Sequence, residues 1–580
     1  SVNIKERLDY SCALFDADGG LVANAPHMPV HLGSMGASVR AVIDARRGQM
    51  RPGDSWLINS PYHGGTHLPD MTVVAPVFLE ASGDVGSSAS IDASVGIGSS
   101  ASIDASVGIG SSASIDTSVG IGSSASIGSS AGIGSSARPD SSGSATAIAA
   151  APDFFVASRA HHADIGGTTP GSMPPFSRTI EEEGALFELF QLVTANEFHE
   201  RELRETLAAG RYPARNPDQN VADLRAQLAA NARGIAEIER AVQRHGLGTV
   251  RAYMRHVQDN AAACMREAIE KLRPGSFRYE MDSGQAIVVR IDIDPHTRRV
   301  HVDFTGTSPQ DPHNFNAPRA VCMAAVLYVF RTLIDRPIPL NEGCLEPLEI
   351  TIPRGSMLDP VPPAAVAAGN VETSQCIVDA LYGALGMLAA SQGTMNNLTF
   401  GDQRLQYYET IAGGAGAGPG FEGCDAVQTH MTNSRLTDPE ILEARFPVLL
   451  REFSIRRGSG GAGRYAGGNG SVRRIEFRAP LSGALLANHR RIAPFGLDGG
   501  APGEVGKGRL LRAAGGTEDI GATASFKVEA GDVLTILTPG GGGFGDARGP
   551  GGDSGAARVS VVTAADALGS DPDTPGGRLT

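Results

Sequence analysis

The chain has 580 residues, and its 49 Lys plus Arg against 63 Asp plus Glu leave a net charge of −14 with no long block of either sign. That balance points away from nucleic acid and anionic membrane as partners. Six cysteines, none in a C-x-x-C pair, exclude a disulfide framework and a thiolate zinc cluster and suit a reducing, cytoplasmic setting. The N-terminus, Ser-Val-Asn-Ile-Lys-Glu-Arg, has neither an apolar signal region nor an initiator Met, so a fragment or processed product is expected. The longest apolar run, 320–334, contains Arg331 and falls short of the roughly 20 residues of a membrane span.

In chain order, the first dense polar motif is Asn59-Ser-Pro-Tyr-His63-Gly-Gly-Thr-His67-Leu-Pro-Asp70, which its prolines and glycines make a loop. A strand-like run, 71–78, follows. From Gly86 a Gly-Ser-Ser-Ala-Ser-Ile-Asp-Ala-Ser-Val-Gly-Ile unit recurs, restarting at Gly98, Gly110 and Gly122. A β-helix would use Ile91, Val95 and Ile97 as inward residues of each turn. The dominance of Ser, Gly and Ala favours a disordered insert instead, because so little apolar surface cannot offset the entropy of ordering. A second strand-like run, 153–158, lies beyond it and leads into Arg159-Ala-His161-His162-Ala-Asp164-Ile-Gly-Gly. With the insert excised the two runs predict an antiparallel hairpin whose histidine-bearing ends lie side by side.

From Ile180 the spacing of Leu203, Leu207, Leu224, Leu228, Ile235 and Ile238 predicts a mostly helical region, with a second helix near 249–272. Alternation over 277–281, 286–292 and 301–304 predicts half-buried strands, and 321–333 a buried helix. A helix over 373–390 is expected to be capped by Thr373 or Ser374. The glycine runs 458–463 and 540–543 lack a strand-then-helix context and read as turns. The fold class is therefore α+β, a large multi-subdomain protein with mixed β-sheets, a central helical segment and a glycine-rich, β-rich C-terminal half. The expected divisions are a metal-loop region at 1–81, the insert at 82–147, completion of the metal-site region at 148–195, a helical segment at 196–275, a mixed α/β region with substrate loops at 276–546 and a disordered tail at 547–580.

Two imidazoles and a carboxylate within one loop suit manganese, zinc or iron, and the spacing His-x-x-Asp occurs twice, at His67 and at His161. His67, Asp70 and His161 are the preferred ligands. His63, His162 and Asp164 are candidates for acid/base catalysis or for orienting those ligands. Histidines beside glycines also cap turns, so each motif alone has a structural alternative. The loop Gln428-Thr429-His430-Met-Thr-Asn433-Ser-Arg435 gathers acceptor, donor and cation, as recognition of a substrate carboxylate or phosphate requires, with Thr429, His430, Asn433 and Arg435 as its contacts. No Gly-Lys-Ser/Thr phosphate loop follows the glycines near 412–416.

Taken together, residues 4–16, 27–35, 61–70, 161–167, Asn341-Glu-Gly, 369–375, Tyr408-Glu-Thr-Ile-Ala-Gly-Gly and 428–435 resemble the hydantoinase B/oxoprolinase family over nearly the whole chain. The insert and the last thirty or so residues fall outside the resemblance. It implies an ATP-dependent opening of a cyclic amide, 5-oxo-L-proline to L-glutamate, in a hetero-oligomer with a hydantoinase A-type subunit that binds the ATP. It also implies a divalent metal, as in the related acetone carboxylase, where histidines and an aspartate matching His67, Asp70 and His161 bind manganese. Alternatives are an N-methylhydantoinase or acetone/acetophenone carboxylase subunit, or a non-catalytic scaffold or inactive fragment. Members of the family usually carry a further helical segment before the position of Val2, so an N-terminal truncation is expected.

Overall fold

The N-terminal half is organised by one antiparallel sheet whose central strands carry the two histidine motifs. A computed structural model describes residues 1–25, 28–79 and 151–547, all within a unit formed by Ser1–Leu79 and Ala149–Thr580. His27, the repeat insert and the tail beyond Ala547 lie outside the described residues. The sheet contains β1 (Tyr10–Phe15), β2 (Leu21–Asn24), β3 (Ser55–Ile58), β4 (Asp70–Val77), β5 (Phe154–His161), β6 (Phe190–Thr194) and β7 (Glu197–Phe198), paired in the order β2-β1-β5-β4-β3-β6-β7. The expected hairpin is present, β4 against β5, and its register sets Asp70 opposite His161.

The described helices are α1 (Val2–Lys5), α2 (Pro29–Arg46), α3 (Glu200–Ala208), α4 (Pro217–His245), α5 (Leu247–Ile269), α6 (Arg319–Thr332), α7 (Ser374–Leu385) and α8 (Pro439–Arg445). Helices α2 and α4 cover opposite faces of the β4–β5 pair, which is why every residue of both strands is buried. The strands β6 and β7 correct the expectation that the chain turns helical from Ile180. Strand β6 pairs with β3 and β7 with β6, which completes the sheet before α3 begins.

The second sheet holds β8 (Gly275–Glu280), β9 (Ala286–Asp294), β10 (Arg299–Asp303) and β11 (Leu348–Thr351), with β11 parallel to β10. Its alternating burial matches the alternation in the sequence. Helix α7 packs on this sheet and α6 packs between α7 and α2, so α6 is buried on all sides. The expected cap at Thr373 or Ser374 does not form. Helical backbone already runs through 367–368 and a π-turn at Gly369–Thr373, and the two hydroxyls donate instead to the carbonyls of Phe315 and Asn370 at 2.7 and 2.6 Å. The helix also stops before 390, because Gly386 takes the left-handed conformation that ends it, φ +67°.

The C-terminal strands are β12 (Asn397–Gly401), β13 (Gln406–Glu409), β14 (Val448–Arg456), β15 (Gly470–Phe477), β16 (Leu481–Leu486), β17 (Lys507–Leu511), β18 (Thr517–Ile520), β19 (Thr523–Val528) and β20 (Val533–Leu537). They make two sheets, β13-β12-β16-β19 and β14-β15-β20-β17-β18. One face of the first sheet, carrying Leu398, Phe400, Tyr407, Leu485 and Val528, shares an apolar core with Ile475, Phe477 and Ile536 of the second. The glycine runs read as turns form something tighter. Gly461 N donates to Gly541 O and Gly541 N to Gly468 O at 2.8 and 2.9 Å, so neighbouring backbones lie in direct contact. A Cβ on Gly541 would sit 1.9 Å from Ala415 O, which no other residue type permits.

Candidate metal centre

The β4–β5 register and the loop before β4 bring three sequence-nominated side chains to one point. Asp70 Oδ1 lies 3.0 Å from His67 Nε2 and 3.0 Å from His161 Nδ1, and the two nitrogens are 3.2 Å apart. All three side chains are buried, and together they form the cluster able to hold a metal ion among the described residues. Hydrogen bonds alone serve this triangle badly. Both imidazoles can aim an N–H at Oδ1, but the two N–H groups then face each other. Donors about 2.1 Å from one ion lie about 3.0 Å apart at octahedral angles and about 3.4 Å apart at tetrahedral ones, so spacings of 3.0 to 3.2 Å fit three ligands of a single ion. The cavity beside them is about 20 Å³, room for an ion or one water.

Asp70 is held from every side. Thr66 Oγ1 donates to its Oδ2 at 2.7 Å, Asn370 Nδ2 donates to the same oxygen at 3.2 Å, and His31 Nε2 lies 3.2 Å from it. Burial by itself raises the Asp70 carboxyl, but the charges of His67 and His31, with hydrogen bonds from His161 and His31, hold it well below the usual range. His161 is pushed down, chiefly by burial, with Asp70 opposing. Its outer nitrogen Nε2 and the Nδ1 of His67 have no hydrogen-bond partner among the described residues. The ring of His161 is oriented by stacking, 4.7 Å from the Tyr408 ring, which carries the Arg7 guanidinium 4.5 Å from its centroid. Tyr408 in turn donates its hydroxyl to Asn397 at 2.8 Å.

The adjacent histidines part company because successive strand residues face opposite sides. His161 and Arg159 face α2, where Arg159 bonds Ser34 and Ser38. His162 points to α4 and bonds Gln227 and Asn220 at 3.1 Å each. His63 is exposed on the 3₁₀ turn Pro61–His63 and bonds Ser60 at 3.0 Å. Asp164 accepts from the amides of Gly166, Gly171 and Arg215 and pairs with the Arg215 guanidinium at 2.8 Å, which makes it the pin of a loop. None of these three lines the triad cavity.

The 428–435 loop does reach the cavity, but through Met431 and Thr432. Thr429 bonds Gln375, and His430 forms a buried pair with Asp379 at 3.0 Å. Asn433 and Arg435 are exposed, since this part of the loop runs out along the surface with the Arg435 amide donating to Arg7 O. The residues that sequence reasoning did not nominate are Asp9, His31, Asn370 and Tyr408, all lining the cavity. All four stand in strings that carry the family resemblance, but nothing in their spacing joins positions 31, 70 and 370. The π-turn does that for Asn370. Gly369 lets the turn lie on Asn316, where a Cβ would meet the carbonyl oxygen at 1.8 Å.

The hydantoinase B/oxoprolinase family model matches residues 1–102 and 140–547. The chain is 43% identical over 569 residues to 5-oxoprolinase 1 of Arabidopsis thaliana, covering 94% of this chain and 40% of that protein. To the 5-oxoprolinase of Dictyostelium discoideum it is 40% identical over 554 residues, covering 94% of this chain and 38% of that protein. It thus spans about two fifths of the length of these curated relatives. In fold it is similar to the ATP-dependent caprolactamase of Pseudomonas jessenii, with a TM-score of 0.74 at 22% identity, covering 93% of this chain and 86% of that one.

Proposed function

The chain belongs to the hydantoinase B/oxoprolinase family, and from that membership we propose that it is the metal-centre component of an ATP-dependent cyclic-amide hydrolase. The proposed substrate is 5-oxo-L-proline, opened by water to L-glutamate. ATP is bound and hydrolysed by a hydantoinase A-type component, carried on a separate subunit or a fused segment, which activates the amide oxygen. The observation that carries this reading is the buried triangle of His67, Asp70 and His161 at 3.0 to 3.2 Å. The 5-oxoprolinase relatives and the lack of a phosphate loop in this sequence support it.

His67, Asp70 and His161 would hold a divalent ion, and two imidazoles with a carboxylate suit manganese, zinc or iron. A bound ion would supply a water of lowered pKa and polarise the ring carbonyl. The chain's own residues prepare that site. Thr66 and Asn370 fix the Asp70 carboxylate, and Tyr408 and Met431 help close the cavity against bulk water. His31, bonded at Nδ1 to Ser11 and at Nε2 to Asp70, holds a proton beside the carboxylate. It takes the place expected of His63 or His162. In the complex with the A-type component, His67→Ala should lose both stoichiometric metal and 5-oxoproline-dependent ATP hydrolysis. Retention of both would overturn the assignment.

No helix among the described residues is long and apolar enough to cross a membrane, and all six cysteines are free.

A further inference from the structure

The cavity at the triad, about 20 Å³, is too small for a ring substrate. A pocket of about 340 Å³, within the size range of small-molecule sites, lies on the same sheet face that supports the triad. Directly paired residues of antiparallel strands point to one side, with Cβ atoms about 5 Å apart. The row Tyr408–Thr399–Ala484–Ser525 therefore crosses β13, β12, β16 and β19 on a single face, and the next row adds Ser482 paired with Lys527. Tyr408 stacks on His161 at one end of the first row, while Thr399, Ala484 and Ser525 line the pocket beyond it. One strand spacing separates Tyr408 from the near wall of the pocket at Thr399, and three separate it from Lys527 on β19.

The pocket's chemistry is one-sided. Thr399, Ser482 and Ser525 line its sheet wall, Thr168 and Thr169 its roof, and Lys527 its edge, with no carboxylate among the lining residues. Lys527 has no acidic partner among the described residues, and the buried hydroxyl of Thr169 has no hydrogen-bond partner there. The roof is pinned by Asp164, which accepts from Gly171 N at 3.0 Å, and it follows His161 in the chain by only a few residues. A lone ammonium with converging hydroxyls and no opposing acid is a site for a small oxyanion.

We infer that this pocket binds the oxyanion group, carboxylate or phosphoryl, of the cyclic-amide substrate. The inference rests on the cyclic-amide reading for its ligand, but the site itself can be tested without turnover. In the full chain, binding of inorganic phosphate and of 5-oxo-L-proline is measured by titration calorimetry in the parent, Lys527→Met, Lys527→Arg and His67→Ala proteins. At least a tenfold loss in Lys527→Met, recovery in Lys527→Arg and less than a twofold change for phosphate in His67→Ala are expected. Loss confined to phosphate assigns the site to a phosphoryl group, and loss confined to 5-oxoproline assigns it to a carboxylate. Binding of both probes unaffected by Lys527→Met, or no saturable binding of either, overturns the inference. Should phosphate binding depend on Lys527 while the complex with the A-type component shows no lactam-dependent ATP hydrolysis, the functional reading fails and the anion site stands. Lys527 is exposed on the edge strand β19, so an unchanged melting temperature verifies the fold of its variants.

Discussion

Asp70 shows how little of a site one motif contains. Its two oxygens are shared among His67, His161, His31, Thr66 and Asn370, which come from four separate stretches of chain. Partners of a ligating group typically contribute 10- to 100-fold in metal affinity. His31→Ala should therefore weaken manganese binding by about 10- to 100-fold in a chelator competition, and an unchanged affinity would mean that Thr66 and Asn370 suffice. Glu372, two residues past Asn370, titrates differently. Burial pushes its carboxyl up to about 8, against hydrogen bonds from Thr394, Met395 and Asn397 and the charge of Arg490. A carboxyl raised on folding holds its proton longer in the native state, so its stabilisation is complete below the unfolded value and is lost as pH rises toward 8. Each unit is worth about 1.4 kcal/mol. The melting temperature should fall between pH 5 and 9, and Glu372→Gln should flatten that fall. Parallel curves would show that Glu372 is already ionised.

At the scale of elements, the hairpin and the π-turn divide the work. The β4–β5 hairpin was legible because the strands carry the apolar runs 73–78 and 154–157 and both outer ends carry a His-x-x-Asp spacing. The π-turn was not, since Gly369-Asn-Val-Glu-Thr reads as a loop leading to a cap. Its position depends on contact with residues 314–317, where the Gly369 amide donates to Asn314 O at 2.9 Å. Gly369→Ala should cost about 1–3 kcal/mol as an overpacked contact, read as a lower denaturant midpoint with an unchanged slope. A neutral result would mean that the turn can rise off Asn316. Of the C-terminal glycine runs read as turns, Gly458 does sit in a left-handed turn while Gly541 lies against neighbouring backbone, because composition reports that glycine is needed but not which of the two needs it.

At the scale of the whole molecule, the three residues of the triad all come from outside the chain between β4 and β5. Both ends of that connection are tied down, by Asp153 N donating to Val77 O and Leu79 N donating to Asp153 Oδ2, each at 2.8 Å. Arg251 of α5 pairs with the same aspartate at 2.6 Å. Replacing residues 80–150 by a short turn should leave metal stoichiometry unchanged, and loss of metal on excision would show that the segment contributes to the site. The sequence by itself determined the α+β class, the hairpin, the buried α6 and the nomination of His67, Asp70 and His161. Each follows from local periodicity or from ligand types close together in the chain. Only the tertiary structure decided that His161 and not His162 meets Asp70, that Met431 and Thr432 face the cavity while Asn433 and Arg435 face solvent, and that His31, Asn370 and Tyr408 complete the site. Those outcomes depend on strand pleat, register and helix placement, which bring together positions hundreds of residues apart and leave no mark in local spacing.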